Sequence, residues 1–193
     1  MTRIVAGSLA SRRIETVPGS ATRPTTDRVR EAVFSRITAW AGTAGRDPAE
    51  QLSGLGFLDL YAGSGAMGLE AYSRGARVTW VEKNPDAARV IRANLAALPA
   101  RGRLVVQDVN RFLAGAGEQF EVVWLDPPYA QPGLEIDRVL AALDTGGWLA
   151  TGGRVIVERP GRASAIEFPE SFLNAGQRRY GDTVIWFADK GYR

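Results

Sequence analysis

Apolar positions recur along this chain with two periods, and the change from one to the other divides it. Residues 3–17, RIVAGSLASRRIETV, read as two short strands joined by a Gly-Ser turn. After a connection rich in Pro, Gly and Ser, Val29, Val33, Ile37 and Trp40 fall at i, i+4, i+8 and i+11. That spacing is one face of a helix, with Thr26 or Asp27 as its N-cap. Arg28, Arg30 and Arg36 are expected largely elsewhere on the helix. Residues 41–54 are small and polar, as in a linker, so the pattern separates an N-terminal extension, 1–54, from a main domain, 55–193.

From Gly56 short apolar runs alternate with amphipathic stretches. Strands are predicted at 56–61, 77–81, 104–106, 120–125, 155–157 and 183–187. Between them Asn84 caps a helix that has Pro85 in first position and Ala87, Ile91, Leu95 and Leu98 facing inward. Ile136, Val139, Leu140 and Leu143 repeat that spacing. Strand-helix alternation predicts an α/β fold, a parallel sheet with helices on both faces.

With 193 residues the chain is long enough for one domain of ordinary size, and at 45% hydrophobic and 23% charged residues it is neither a disordered tail nor a fibre. Its apolar runs fall short of a membrane span, and no basic-then-apolar leader opens it, so a cytoplasmic protein without a membrane partner is expected. No long apolar stripe is left unassigned, which predicts a monomer. The chain has no Cys and no His, which excludes disulfides, Cys or His zinc sites and any Ser-His or Cys-His nucleophile pair. Chemistry must come from carboxylates, hydroxyls, aromatic faces, backbone groups or a cofactor. The net charge of +3 is lopsided: residues 1–40 carry +4 and the remainder −1.

The strongest local signal is Asp59-Leu-Tyr-Ala-Gly63-Ser-Gly65-Ala-Met-Gly68, a glycine-rich turn between a strand and a helix. Such a turn lets a nucleotide-like cofactor approach the backbone and offers helix N–H groups to an anion. Glu82 ends the next strand, where an acid meets ribose hydroxyls. Asp108 follows the third strand, placed either for an adenine amine or as N-cap of the following helix. Asp126-Pro127-Pro128-Tyr129 follows the apolar fourth strand at the edge where ligands of open α/β sheets bind. Its prolines stiffen the loop. The Asp126 carboxylate and the Pro127 carbonyl are then two acceptors for one amino group, and Tyr129 a surface for stacking a base. A nucleobase amine is a poor nucleophile because its lone pair is delocalised into the ring. Gripping both its hydrogens favours a pyramidal nitrogen with the lone pair aimed at an electrophilic methyl group.

These features resemble the class I S-adenosylmethionine-dependent methyltransferases that modify exocyclic amines. More narrowly, Arg23-Pro-Thr-Thr-Asp27-Arg-Val-Arg30-Glu-Ala-Val-Phe34, the 59–71 turn and helix with Ser73-Arg-Gly-Ala76, and the 126–129 loop look like the bacterial 16S ribosomal RNA guanine-N2 methyltransferase family, RsmD. The resemblance implies a Rossmann-like fold with a seven-stranded, mostly parallel sheet whose last strand is antiparallel, preceded by a small hairpin and helix. It implies S-adenosylmethionine held by Asp59, Tyr61, Gly63, Ser64 and Gly65, with Glu82 and Lys83 at the ribose, Asp108 and Val109 near the adenine, and Asp126 at the reacting end. Val109 stands where the family often has alanine. Guanine would be held by 126–129, and 16S ribosomal RNA by Arg3, Arg12, Arg13, Arg23, Thr25, Arg28 and Arg30, without a metal. Rival readings are a DNA adenine-N6 methyltransferase, a protein-glutamine methyltransferase and a non-catalytic cofactor-binding RNA module.

Overall fold

The computed structural model describes residues 2–17, 26–128 and 133–191. At the N-terminus β1 (Thr2–Arg3) pairs antiparallel with β2 (Arg13–Ile14), a shorter hairpin than the apolar pattern of 3–17 predicts. Helix α1 (Asp27–Trp40) follows, its N-cap supplied by the Thr26 hydroxyl, which accepts from the Val29 N–H.

The remaining strands form one seven-stranded sheet: β3 (Gly56–Leu60), β4 (Arg77–Glu82), β5 (Arg103–Val106), β6 (Phe120–Leu125), β7 (Leu149–Pro160), β8 (Phe172–Tyr180) and β9 (Thr183–Lys190), in the order β5-β4-β3-β6-β7-β9-β8. β5 through β7 are mutually parallel and β9 runs antiparallel to both its neighbours, as expected for the last strand. From β3 the chain builds outward to β5 and then returns to lay β6 on the other side of β3. The strand order therefore reverses between β3 and β6, and a crevice opens at their carboxyl ends, where ligands of such sheets bind.

Helices α2 (Ala66–Ser73), α3 (Pro85–Ala97), α4 (Val109–Leu113) and α5 (Gly133–Thr145) fill the connections. Side chains alternate across the sheet, so Phe57, Trp80, Trp124 and Ile156 join one core with α1, α2 and α3, while Leu58, Val81, Val123 and Val157 join a second with α4 and α5. Ile136, Val139, Leu140 and Leu143 are all fully buried, as their spacing predicts. β8 is the one strand that the apolar pattern does not mark. It is a sheet edge, largely exposed on both faces, with Leu173 at 53% exposure and polar Asn174, Gln177, Arg178 and Arg179, so it has no alternation to read.

The N-terminal extension shares the first core. Ile4, Ile14, Val33, Phe34 and Ile37 are buried in it, and so is Leu52 of the stretch read as a linker, whose N–H donates to the Arg74 carbonyl. Each such side chain contributes about 1.5–3 kcal/mol. Arg30 departs from its expected place: its side chain is fully buried, paired with Asp27 at 2.7 Å and Glu70 at 3.5 Å, and donates to the Thr2 hydroxyl and the Arg3 carbonyl. A guanidinium enclosed in this way has no surface to offer RNA. The cause is Glu70 of α2, an equally buried acid that the helical spacing of α1 does not reveal.

Candidate active site

The glycine turn leaves β3 and opens α2. Gly65 is the N-cap at φ 79°, a left-handed conformation that other residues adopt at a cost, and it supplies no capping side chain. Gly68 is needed for a different reason: a Cβ there would lie 2.2 Å from Nε1 of Trp80, whose indole donates to the Gly65 carbonyl. Two carboxylates brace the turn from below. Asp59 accepts from the Gly68 N–H at 2.8 Å, and Glu82 accepts from the N–H groups of Gly63 at 2.8 Å and Asn84 at 2.7 Å. Glu82 is thus a buried organiser of the turn, with lone pairs left for further donors.

Above the carboxyl ends of β3, β4 and β6 lies a cavity of about 290 Å³, at the lower end for small-molecule sites. Asp59, Tyr61, Gly63, Ser64, Glu82, Lys83, Val109 and Asp126 line it, a convergence of residues 67 positions apart in sequence at the extremes. Gly65 and Asp108 stand outside its described lining. Asp108 caps α4 by accepting from the Asn110 N–H at 2.9 Å and lies 4.0 Å from the Lys83 ammonium. Thr16 and Val17 of the N-terminal extension, together with Met67, Asn84 and Trp124, complete walls that the motifs do not announce.

Asp126 follows β6 and lines the same cavity together with the exposed Pro128, while Pro127 between them is buried and outside the described lining. Burial pushes the Asp126 carboxyl well above the ordinary carboxylate range, and the charges of Glu158 and Asp59 push it the same way. Glu158 sits on β7, where Val157 is in register with Leu125, and it is buried at 4% exposure. Burial likewise raises Asp59, helped by Glu82 and opposed by the Gly68 hydrogen bond. Two carboxyls held above the ordinary range on one cavity, Asp59 and Asp126, are suited to receive a cation. Tyr129 of the same loop lies outside the described residues, as do Arg23 and Thr25.

Of the arginines expected to face RNA, Arg3, Arg12, Arg13 and Arg28 are exposed. The arm that carries three of them is fastened to α2 and α3. Glu70 accepts from the N–H groups of Val5 and Ala6, the Ser73 hydroxyl exchanges bonds with Leu9 and Ala6, and Arg12 reaches the Ala97 carbonyl. The arm accordingly lies beside the cavity.

The reversal of strand order, the antiparallel β9, the glycine turn and the acid at the end of β4 define the class I methyltransferase fold. The model of a family described as Conserved hypothetical protein 95 matches residues 2–189. The chain belongs to that family, the RsmD family. Among its relatives are the putative rRNA methyltransferase YlbH of Bacillus subtilis, 31% identical over 95% of this chain and 96% of the relative, and the ribosomal RNA small subunit methyltransferase D of Escherichia coli, 35% identical over 81% and 73%. A solved structure of the putative methyltransferase yhhF from Escherichia coli superposes with a TM-score of 0.80 at 31% identity, covering 99% of this chain and 98% of that one.

Proposed function

We propose that this protein transfers a methyl group from S-adenosylmethionine to the exocyclic N2 amine of a guanine in 16S ribosomal RNA. The observation that carries the reading is the acidic proline corner, Asp126 to Pro128, set at the mouth of a cavity floored by the glycine turn. The residues fit the cofactor: Glu82 stands where ribose hydroxyls donate, Val109 offers an apolar side to the adenine, and Asp59 and Asp126 supply negative charge for a sulfonium. S-adenosylmethionine, when bound, provides the electrophilic methyl group. Asp126 and the Pro127 carbonyl hold the two amine hydrogens and direct the nitrogen lone pair along the line of transfer, and Tyr129 stacks the base. Asp126, whose environment already favours its protonated form, takes the departing proton directly or through water.

Two features support guanine in RNA over the rivals. Guanine presents N1–H beside its N2 amine, a row of donors that suits an acid such as Asp126, whereas adenine places a bare acceptor beside its amine. The exposed arginines of the arm suit nucleic-acid phosphates over a protein substrate, and the relatives' names favour RNA over DNA. The test is methyl incorporation into DNA, naked RNA, small ribosomal subunits and protein, with nucleoside mapping of the product. Label in N2-methylguanine of 16S RNA is expected; label in N6-methyladenine or in protein overturns the reading. Replacing Arg12 and Arg13 together is expected to lower the salt slope of RNA binding by about 1.5, the share of two phosphate contacts.

The raised carboxyls make cofactor binding pH-dependent. In the free protein Asp126 and Asp59 retain protons above the ordinary range. A sulfonium favours their ionised forms, so its binding expels protons, and affinity for S-adenosylmethionine rises with pH through the raised values and levels off above them. S-adenosylhomocysteine, whose sulfur is neutral, shows a flatter profile in calorimetry; parallel profiles would refute the electrostatic role of the acids. In the same window the free protein loses stability as pH rises, because its folded state binds more protons than the unfolded chain.

A further inference from the structure

Asn94 sits in mid-helix on the face of α3 that also buries Ala87, Ala88 and Ile91, and its exposure is 2%. A polar residue on an apolar face is costly unless its amide is satisfied. Here every partner is backbone from somewhere else. Its Oδ1 accepts from the Glu15 N–H at 2.9 Å, and its Nδ2 donates to the Glu15 carbonyl at 3.0 Å and to the Ser64 carbonyl at 3.0 Å. One side chain therefore joins the RNA arm, just past Arg12 and Arg13, to the centre of the glycine turn. The residues that follow Glu15, Thr16 and Val17, form a wall of the cofactor cavity together with Ser64. Alanine would fill the same helix position without any of these bonds, aspartate would lack both donors, and glutamine would overreach by a methylene.

We propose that Asn94 is a positioning residue that couples the two ligands: by clasping 15–17 against the glycine turn it makes the RNA arm part of the cofactor site, so that cofactor and ribosomal RNA strengthen each other's binding. The inference rests on the RNA methyltransferase reading given above. Coupling of this kind is reciprocal: an arm steadied by RNA presents a formed wall to the cofactor, and a filled cavity steadies the arm.

The experiment uses the full chain and S-adenosylhomocysteine, which binds without turnover. Equilibrium dialysis of the labelled compound, with and without an excess of unmethylated small ribosomal subunits, gives two dissociation constants whose ratio measures the coupling. In the unaltered protein subunits are expected to tighten binding about tenfold. Asn94→Ala is expected to weaken binding of the compound alone several-fold and to bring the ratio to within about twofold of unity. Asn94→Asp, which keeps the acceptor for the Glu15 N–H and the size, loses the donations to the Ser64 and Glu15 carbonyls and is expected to lose most of the ratio as well; it serves if the alanine variant does not fold. A merely structural asparagine would lower the melting temperature and leave the ratio at its original value, which would overturn the proposal, as would a ratio of one in the unaltered protein. Methyl transfer to the same subunits, assayed in parallel, separates the two failures. Transfer with no coupling defeats only the clasp, and absence of transfer defeats the reading on which it rests.

Discussion

Replacing Asp126 with alanine is expected to lower methyl transfer at least about a thousandfold, roughly 4 kcal/mol of transition-state stabilisation, while affinity for S-adenosylhomocysteine, which carries no sulfonium charge, changes by less than about fivefold. The asymmetry follows from position. Asp126 is at the rim of the cavity beyond the end of β6, whereas the turn proposed to cradle the cofactor is organised by Asp59 and Glu82 through the N–H groups of Gly68, Gly63 and Asn84. Its loss removes an acceptor that matters as the amine pyramidalises and the destination of the departing proton. Asp126→Asn separates the two roles, because an amide oxygen still accepts one amine hydrogen but takes no proton. Activity of the amide variant should fall between those of the parent and the alanine variant. Single-turnover transfer of labelled methyl together with calorimetric binding provides the check, and undiminished transfer by the alanine variant would remove Asp126 from the mechanism.

The largest effect on stability is expected at Glu70. Its carboxylate, fully buried, accepts from Val5 and Ala6 of the arm and from Arg74, whose ion pair with it spans 3.0 Å, and it faces Arg30 at 3.5 Å. Asp27 and Gln51 occupy the outer ends of the two guanidiniums. Glu70→Ala leaves two buried cations short of an anion and two amides short of an acceptor, a cost of about 3–5 kcal/mol. For a chain of this length that lowers the melting temperature by about 10 °C or more, a large share of a typical total of about 5–15 kcal/mol. Hydrogen exchange in the 2–17 hairpin should accelerate more than in β3 or β6, because the arm loses its anchors first. A melting temperature within about 2 °C of the parent would show that the triad contributes little. Replacing Arg30 and Glu70 together by methionine should cost less than Glu70→Ala alone, since one buried cation, Arg74, is then left short of an anion in place of two.

The order and kind of the elements along the chain were readable from residue pattern, because both rest on local rules. The runs at 56–61 and 120–125 are mostly apolar because both faces of their strands are buried, and Asn84 with Pro85 starts α3 as capping chemistry requires. The 59–68 turn and the 126–128 corner declared themselves through glycine and proline, residues whose backbone limits are visible in the one-letter code. Even Asn94 left a trace, a polar residue at the i+7 position of an apolar stripe that begins at Ala87, although the stripe gives no hint of its partners.

Composition could not decide which arginines face solvent. Arg28 and Arg30 are two residues apart on one helix, yet the first is exposed and the second fully buried, because Glu70, forty residues further along, supplies the counter-charge. β8 leaves no pattern for the opposite reason, since Phe172 at its start is its one buried residue. The cavity wall at Thr16 and Val17, and the raised carboxyls of Asp59 and Asp126, belong to the assembled sheet edge alone. What the sequence by itself determined was the kind of each element and the chemistry at its ends, since propensity, capping and turn geometry act over a few residues. Only the tertiary structure decided which charges are buried together and which distant segments close the site, since desolvation and Coulomb forces depend on distance in space and not along the chain.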